Sequence, residues 1–374
     1  MEEDQAPKYV VPYNIGLFQL LPDHVIHHIM SFLPTTDAVR MSVLSKHWRR
    51  MWYSVPALNF CPTDFCFRQK SDEEIYKIID KCLEQREKGT CHATDSVFTR
   101  FKLDVNYGGT GDSLLKKWLN FAIENNTEEL DLLPQPKLNY YLLPEEVFSS
   151  RSLTLIKLDR VKLEGSYSVN LPYLKTLSLT SIEFRGNNNR VLENLISGCP
   201  SLEKLMLNGC IGLLNPRISS SSLKFLEIAS CVSCRTIQLQ AANLRSFSYN
   251  SAIACDIIHL CACKEIRNLS LVGVLLDDRS LENLVLSLPL LESLTVHKSN
   301  FGLKHVKIAS KSLKCLVLKK FFNKDVSATI KTPNLVSFCY EGHISMKVGM
   351  SSNSPNPFEG NIKLEVGDHL KYTS

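Results

Sequence analysis

The sequence predicts an α/β protein in which a small N-terminal helical unit precedes a solenoid of short parallel strands. Three observations lead there: an apolar template that returns along most of the chain, a run of helical periodicity between Leu20 and Tyr53, and an ordinary globular composition. Of the 374 residues, 44% are hydrophobic and 22% charged, which leaves enough apolar side chains for a sizeable core. The formal net charge of +5 is mild for this length and points to neither nucleic acid nor a membrane as partner. No apolar run is long enough to span a bilayer, and the acidic start Glu2-Glu3-Asp4 is unlike a secretory signal. The 13 cysteines are scattered through apolar stretches rather than set at framework spacing. The expectation is a reduced, intracellular protein of the cytoplasm or nucleus, with its thiols mostly buried.

Residues 1–16 are polar and aperiodic, and read as a flexible leader. Residues 17–57 form one small unit, helical in pattern from Leu20 to about Tyr53. Val25, Ile26, Ile29, Met30 and Leu33 form one stripe. Pro22 suits a first helical turn, and Asp23 favours the positive end of the helix dipole. Pro34 stops that helix. Thr36 or Asp37 can cap a second helix carrying Val39, Met41 and Val43, and Ser45 a third carrying Trp48, Met51 and Trp52. Helices this short cover little of one another, so the unit is expected to need a partner. Residues 58–96 form a helical connector, with Ile75, Ile78, Ile79 and Leu83 on one face of a helix over Asp72–Glu87.

From 97 to 345 the template apolar-x-x-apolar-x-apolar dominates. Leu153-Thr-Leu-Ile156-Lys-Leu158, Leu174-Lys-Thr-Leu177-Ser-Leu179 and Leu202-Glu-Lys-Leu205-Met-Leu207 are three copies, with further ones starting at Leu223, Leu244, Ile266, Leu291, Leu313 and Leu335. Neighbouring copies are 21–28 residues apart, within the roughly 20–29-residue range of leucine-rich repeats. Weaker copies lie at Phe98–Leu103 and Thr127–Leu132. Each copy supplies one strand of a parallel sheet, the horseshoe arc of such repeats, with alternate residues building a continuous core. Alternation turns Lys204, Met206, Asn208, His297, Lys319 and Glu341 to the open inner surface, which makes them candidate target-binding residues. Most returns are too short for a helix. Ser113–Asn125, Arg190–Ser197 and Asp277–Leu288 are the exceptions. Residues 346–374 read as a polar C-terminal tail, breaker-rich over 351–361.

The opening Leu21-Pro22-Asp23, the turn Ser31-Phe32-Leu33-Pro34 and the ending Leu44-Ser45-Lys46-His47-Trp48-Arg49 closely resemble an F-box. With the repeats behind them, including Gly198-Cys199-Pro200-Ser201-Leu202-Glu203, residues 17–342 resemble the plant F-box/leucine-rich-repeat family. The resemblance implies a non-catalytic, substrate-recognition subunit of an SCF-type ubiquitin ligase. The F-box would dock on a Skp-type adaptor, which bridges to a cullin and its RING partner, and the repeats would hold an unknown target protein. Carried over residue by residue, the adaptor contacts are Leu21, Pro22, Ile26, Ile29, Leu33, Leu44 and Trp48. Burying each such side chain against a partner contributes about 1.5–3 kcal/mol. Many plant members carry a further FBD domain. No convincing copy is seen, so the chain reads as a short or truncated member. Two alternatives stay open: a hormone-sensing F-box receptor, and an F-box protein with a non-degradative adaptor-binding role.

Other constellations are weaker. Cys231-Val-Ser-Cys234 has metal-ligand spacing, and Cys255, His259, Cys261 and Cys263 one repeat later make zinc thinkable. No matching second pair exists, so core packing is the preferred reading and no metal or cofactor is expected. Gly108-Gly109-Thr110-Gly111 lacks the Lys and Ser/Thr of a phosphate loop and reads as a turn. His24, His27 and His28 read as a solvated helix face. Over 298–331, nine lysines (Lys298, Lys304, Lys307, Lys311, Lys314, Lys319, Lys320, Lys324 and Lys331) face one acid, Asp325. They form either a basic patch for an anionic partner or a solvated outer face. No nucleophile elbow, metalloprotease helix, dinucleotide fingerprint or kinase set is found, so no catalytic residues are expected.

Overall fold

The computed structural model describes residues 21–61, 64, 67–90, 98–107, 112–136, 140–165, 167–185, 188–231, 234–297, 303–321, 327–343, 347–350 and 359–365. The leader, the glycine stretch 108–111, and Lys298, Lys324 and Asp325 lie outside them. The chain divides into two compact units, residues 1–101 and 102–374.

The first unit holds helices α1 (Asp23–Phe32), α2 (Thr35–Met41) and α3 (Lys46–Ser54), strand β1 (Ala57–Phe60) and helix α4 (Asp72–Thr90). Its core is Ile26, Met30, Trp48, Trp52, Leu58, Ile79 and Leu83. Ser45 caps α3 as expected, accepting the Trp48 N–H at 3.2 Å. The start of α2 differs from expectation. Pro34 is its N-cap, and Thr35 and Thr36 are buried inside the first turn. Their hydroxyls anchor the helix elsewhere: Thr35 Oγ1 accepts the Asn59 N–H at 2.5 Å, and Thr36 Oγ1 donates to Asp64 Oδ2 at 3.5 Å. The connector helix α4 is part of this unit. Its Ile75, Ile79 and Leu83 are buried as the periodicity predicts, and α4 packs on α3.

The second unit begins with β2 (Arg100–Tyr107), helix α5 (Asp112–Glu124), β3 (Glu129–Pro136), β4 (Tyr141–Leu142), β5 (Leu155–Asp159) and β6 (Val161–Glu164). There follow β7 (Thr176–Thr180), β8 (Glu183–Arg185), helix α6 (Asn188–Ser197), β9 (Lys204–Asn208), β10 (Arg217–Ser219), β11 (Phe225–Ala229) and β12 (Thr236–Gln240). Then come β13 (Ser246–Cys255), β14 (Ile257–His259), β15 (Asn268–Val274), helix α7 (Asp278–Ser287), β16 (Ser293–His297) and β17 (His305–Ala309). The described part ends with β18 (Cys315–Phe321), β19 (Ser327–Lys331), β20 (Ser337–His343), β21 (Lys347–Met350) and β22 (Glu359–Glu365).

Among the described residues of this unit, twelve strands form one long sheet in the order β2-β3-β5-β7-β9-β11-β13-β15-β16-β18-β20-β22. Neighbours from β3 onward pair parallel, one repeat to the next. The register stacks Leu130, Ile156, Leu177, Leu205, Leu226, Phe247, Leu269, Leu294, Leu316 and Phe338 in one inward row. All ten are buried. A repeat cannot bury its apolar side alone, and this stacking is what supplies the core.

The returns run across the core from the long sheet. Three of them are the helices α5, α6 and α7, as expected. The short returns form small parallel sheets, β4-β6-β8, β10-β12-β14 and β17-β19-β21, which the periodicity does not reveal. The long sheet also runs past residue 345, where a polar tail was expected. Ile362 pairs with Tyr340 at an inward register position, so β22 is a further rung. Its template is hidden because Gly360 stands where the other repeats have leucine, isoleucine or phenylalanine.

Candidate functional site: an apolar rim and the open face of the sheet

Short helices leave apolar surface uncovered, and in the first unit it concentrates at helix ends. Phe32 is 75% exposed, Val43 74% and Leu44 59%. Asp23 Oδ1 lies 3.5 Å from His47 Nε2, which ties the start of α1 to the start of α3. Of the seven expected adaptor contacts, Leu44 and Pro22 are exposed, and Leu21, Ile29 and Leu33 are half-buried. Ile26 and Trp48 correct the expectation. Both are core residues of the unit, with no surface left for a partner. Val43 and Phe32 are exposed as well; helical periodicity assigns Val43 to α2, whereas α2 ends at Met41.

The C-terminal end of α3 is held by a residue that sequence reasoning did not single out. Arg86 of α4 is 2% exposed. Its Nη1 donates to Trp52 O at 2.7 Å, and its Nη2 to Val55 O. These carbonyls belong to the last turn of α3 and its C-cap, where a helix cannot satisfy its own acceptors and where a cation meets the negative end of the dipole. The guanidinium also lies 5.5 Å from the Trp52 ring centroid and 5.8 Å from that of Phe98. Burial pushes its pKa down to about 10, which leaves it charged. The histidines also depart from expectation. His24 and His28 are exposed, but His27 is half-buried, 2.5 Å from Ser54 Oγ, with burial lowering its pKa.

In the second unit the side chains opposite the leucine rows form the open face. The register sets Asp159, Thr180, Asn208, Ala229, Asn250, Val272, His297, Lys319 and Glu341 in one lateral row. Met206 and Lys204 lie in the two parallel rows, aligned with Glu227 and Phe225. The six expected face residues therefore share one surface in two groups. Lys204, Met206 and Asn208 are on β9, with Lys204 Nζ 4.8 Å from the Phe225 ring centroid. His297, Lys319 and Glu341 are adjacent on β16, β18 and β20, where Lys319 Nζ lies 3.5 Å from Glu341 Oε2. Between the two groups the face is lined by small neutral groups such as Ser246, Ser248, Asn250, Asn268 and Ser270. Such a surface offers many hydrogen-bond donors and acceptors and little net charge.

The lysine run does not make one patch. Lys319 is on the open face, whereas Lys307 and Lys331 are on the outer sheet β17-β19-β21. Lys314 is 2.9 Å from Glu292 Oε2, whose Oε1 also meets Arg267 at 2.7 Å. Strand alternation divides what looks continuous in sequence. Among the described residues no group of three or more His, Cys, Asp or Glu is placed to hold a metal ion. Cys255 and Cys263 are buried, with their Sγ atoms turned to the carbonyls of Arg235 and Leu239, while His259 and Cys261 are exposed. Cys210, Cys231 and Cys234 are buried together. A hydrogen-bonded contact with Cys231, with burial adding to it, holds Cys210 and Cys234 above the usual thiol range. No helix among the described residues is long and apolar enough to cross a membrane.

The comparisons agree with this division. Residues 18–59 match the F-box domain, and residues 96–300 match the family model described as At1g61320/AtMIF1, LRR domain. Among similar proteins are three F-box/FBD/LRR-repeat proteins of Arabidopsis thaliana. At5g22670 is 33% identical over 212 residues, covering 56% of this chain and 45% of that protein. At1g13780 is 29% identical over 211 residues, 56% and 46%. At2g26030 is 30% identical over 213 residues, 56% and 44%. The matched region thus spans a little under half the length of these relatives. An F-box at the start of the first unit and a leucine-rich-repeat model covering more than half of the residues place the chain in the plant F-box/leucine-rich-repeat family.

Proposed function

We propose that the chain is the substrate-recognition subunit of an SCF-type ubiquitin ligase, non-catalytic itself. In this reading the rim around Leu21, Pro22, Val43 and Leu44 docks on a Skp-type adaptor that leads to a cullin and a RING partner. The open face of the sheet receives the target protein. The carrying observation is the uncovered apolar rim: Val43 and Leu44 are more than half exposed on a unit whose core is otherwise closed. Burying two or three such side chains contributes about 1.5–3 kcal/mol each, enough to support a complex once association costs are met. The reading places the assembly in the cytoplasm or nucleus, where the buried free cysteines stay reduced.

Co-expression of the full chain with a Skp-type adaptor tests it. The wild type is expected to co-purify with the adaptor, and a Val43→Asp, Leu44→Asp double variant to lose it while keeping its far-UV circular dichroism, because both positions are exposed. A wild type that binds no adaptor, or a double variant that binds as well as wild type, overturns the proposal.

A further inference from the structure

We infer that the outer side of the repeats carries a site for a small organic acid, a ligand with an apolar body and one anionic end. The site arises from a step in the returns. One repeat returns through the helix α6, and the next returns through the flat strands β10 and β12. The helix packs on β10 and closes that strand's edge. What stays open is the outer face of the strands at the foot of the helix. Two adjoining clefts lie there, of about 420 and 470 Å³, each within the roughly 300–1,000 Å³ of small-molecule sites.

Strand alternation makes the floor. Ile218, Ile237 and Leu239 are buried, while Arg217, Ser219 and Gln240 are exposed and Gln238 is half-buried. The register sets Arg217 beside Gln238 and Ser219 beside Gln240. Helical spacing makes the wall, since Arg190, Glu193, Asn194 and Ser197 share one face of α6 and line the clefts.

The two clefts differ in chemistry, and that difference chooses the ligand. In the first, Ile196 and Ile218 reach the lining, and the methylene stem of Arg217 adds to them, which suits an apolar body. The described lining of the second is polar throughout. Arg217 and Gln238 line both, so one ligand can span them. Arg190 and Arg217 are exposed, and neither makes an ion pair or a side-chain hydrogen bond among the described residues. Other neighbouring repeats tie their charges together, Lys224 to Glu203 at 2.9 Å and Arg267 to Glu292 at 2.7 Å. Two guanidiniums against the one carboxylate of Glu193 leave a single positive charge in the second cleft. That balance fits a monoanion, and a guanidinium fork meets a carboxylate with two parallel bonds. Asn189 Oδ1 belongs to the same lining, is buried, and meets no donor among the described residues. A hydroxyl on the ligand would satisfy it.

The test screens the purified full chain by saturation-transfer NMR against a pool of hydroxylated phenylalkanoic and medium-chain alkanoic acids, beside the matched primary amides and acetate. Binding of the acids at sub-millimolar concentration is expected, with the amides and acetate inert. Arg217→Ala should weaken the acids about tenfold, the worth of one charge-assisted hydrogen bond, and Arg190→Ala should weaken them as well. Ser219→Phe fills the first cleft from an exposed position and leaves both arginines in place. It should abolish binding with the far-UV circular dichroism unchanged, and the two arginine variants carry the test should it fold poorly. The proposal is overturned if no acid binds at millimolar concentration, if the amides bind as well as the acids, or if the folded variants all bind like wild type. Acetate competing at the same concentration as the larger acids would mark a free-anion site and overturn the apolar half of the assignment. None of these readings involves an adaptor, so a failure of the ligase reading leaves them unchanged.

Discussion

Arg86 does for α3 what no residue of that helix can do for itself. It satisfies the carbonyls of Trp52 and Val55 from a position 31 and 34 residues away in sequence, and its charge sits at the negative end of the helix dipole. The guanidinium fork suits this task, since two carbonyls must be met at once and an ammonium is a point donor. Arg86→Ala strands two buried acceptors and opens space beside the Trp52 ring. It is expected to lower stability by about 3 kcal/mol, with Arg86→Lys falling between it and wild type. Urea unfolding followed by tryptophan fluorescence measures this; equal midpoints for Arg86→Ala and wild type would show that the pair is ornamental. Nothing in the sequence distinguishes Arg86 from an exposed connector arginine, because its role depends on which turn of α3 it meets. Ile26 and Trp48 show the same limit from the other side. Their motif positions were legible, but whether a motif residue fills the unit's own core or its rim is decided by packing.

The strands are where sequence and structure agree most closely, and the agreement has a mechanical cause. Each strand begins two residues after the first leucine of its template, as with Leu174 and β7, Leu202 and β9, and Leu313 and β18. Just before each strand, one carbonyl accepts two N–H groups from the next repeat. Lys175 O takes those of Glu203 and Lys204, both at 2.9 Å, and Glu203 O takes those of Lys224 at 2.8 Å and Phe225 at 3.0 Å. Serines reinforce the same joint: Ser222 Oγ donates to Leu202 O at 2.8 Å and Ser312 Oγ to Leu291 O at 2.9 Å. The recurring Ser-x-Ser-Leu before these strands was a readable signal that periodicity alone passes over. Gly198 belongs to this scale as well. A Cβ there would overlap the carbonyl and side chain of Val169, while one at Gly165 would meet only Val191 Cγ2 at an ordinary 3.4 Å. Gly198→Ala should therefore destabilise by about 1–3 kcal/mol, against about 0.5 kcal/mol or less for Gly165→Ala. Chemical denaturation of the two variants compares them directly, and equal effects would contradict the close-approach argument. The outer sheets were not legible, because their strands run only two to five residues and do not carry the repeat's leucine spacing.

At the scale of the molecule, the two units differ in surface chemistry. The first unit is closed except for an apolar rim at its helix ends. The second is a repeat sheet whose open face is polar, with hydroxyl and amide groups between two clusters that carry charge. An apolar rim suits a constant partner bound through buried area, and a hydrogen-bonding face suits selection among targets, since an unmatched buried polar group is costly. The family resemblance identified this division from sequence. The composition of the open face became readable only once the register of β5 to β20 set its three rows side by side.

The central claim is that both surfaces act in one pathway, and quantitative ubiquitin-remnant proteomics in plant cells tests it most directly. Cells would express wild type, the Val43→Asp, Leu44→Asp rim variant, or a face variant combining Met206→Arg with Ser248→Arg. The account predicts a set of proteins whose ubiquitination rises with wild type and returns to background with either variant, with only the rim variant losing the adaptor. A wild type that binds the adaptor yet raises ubiquitination of no protein, or a rim variant that supports the same targets as wild type, would contradict it.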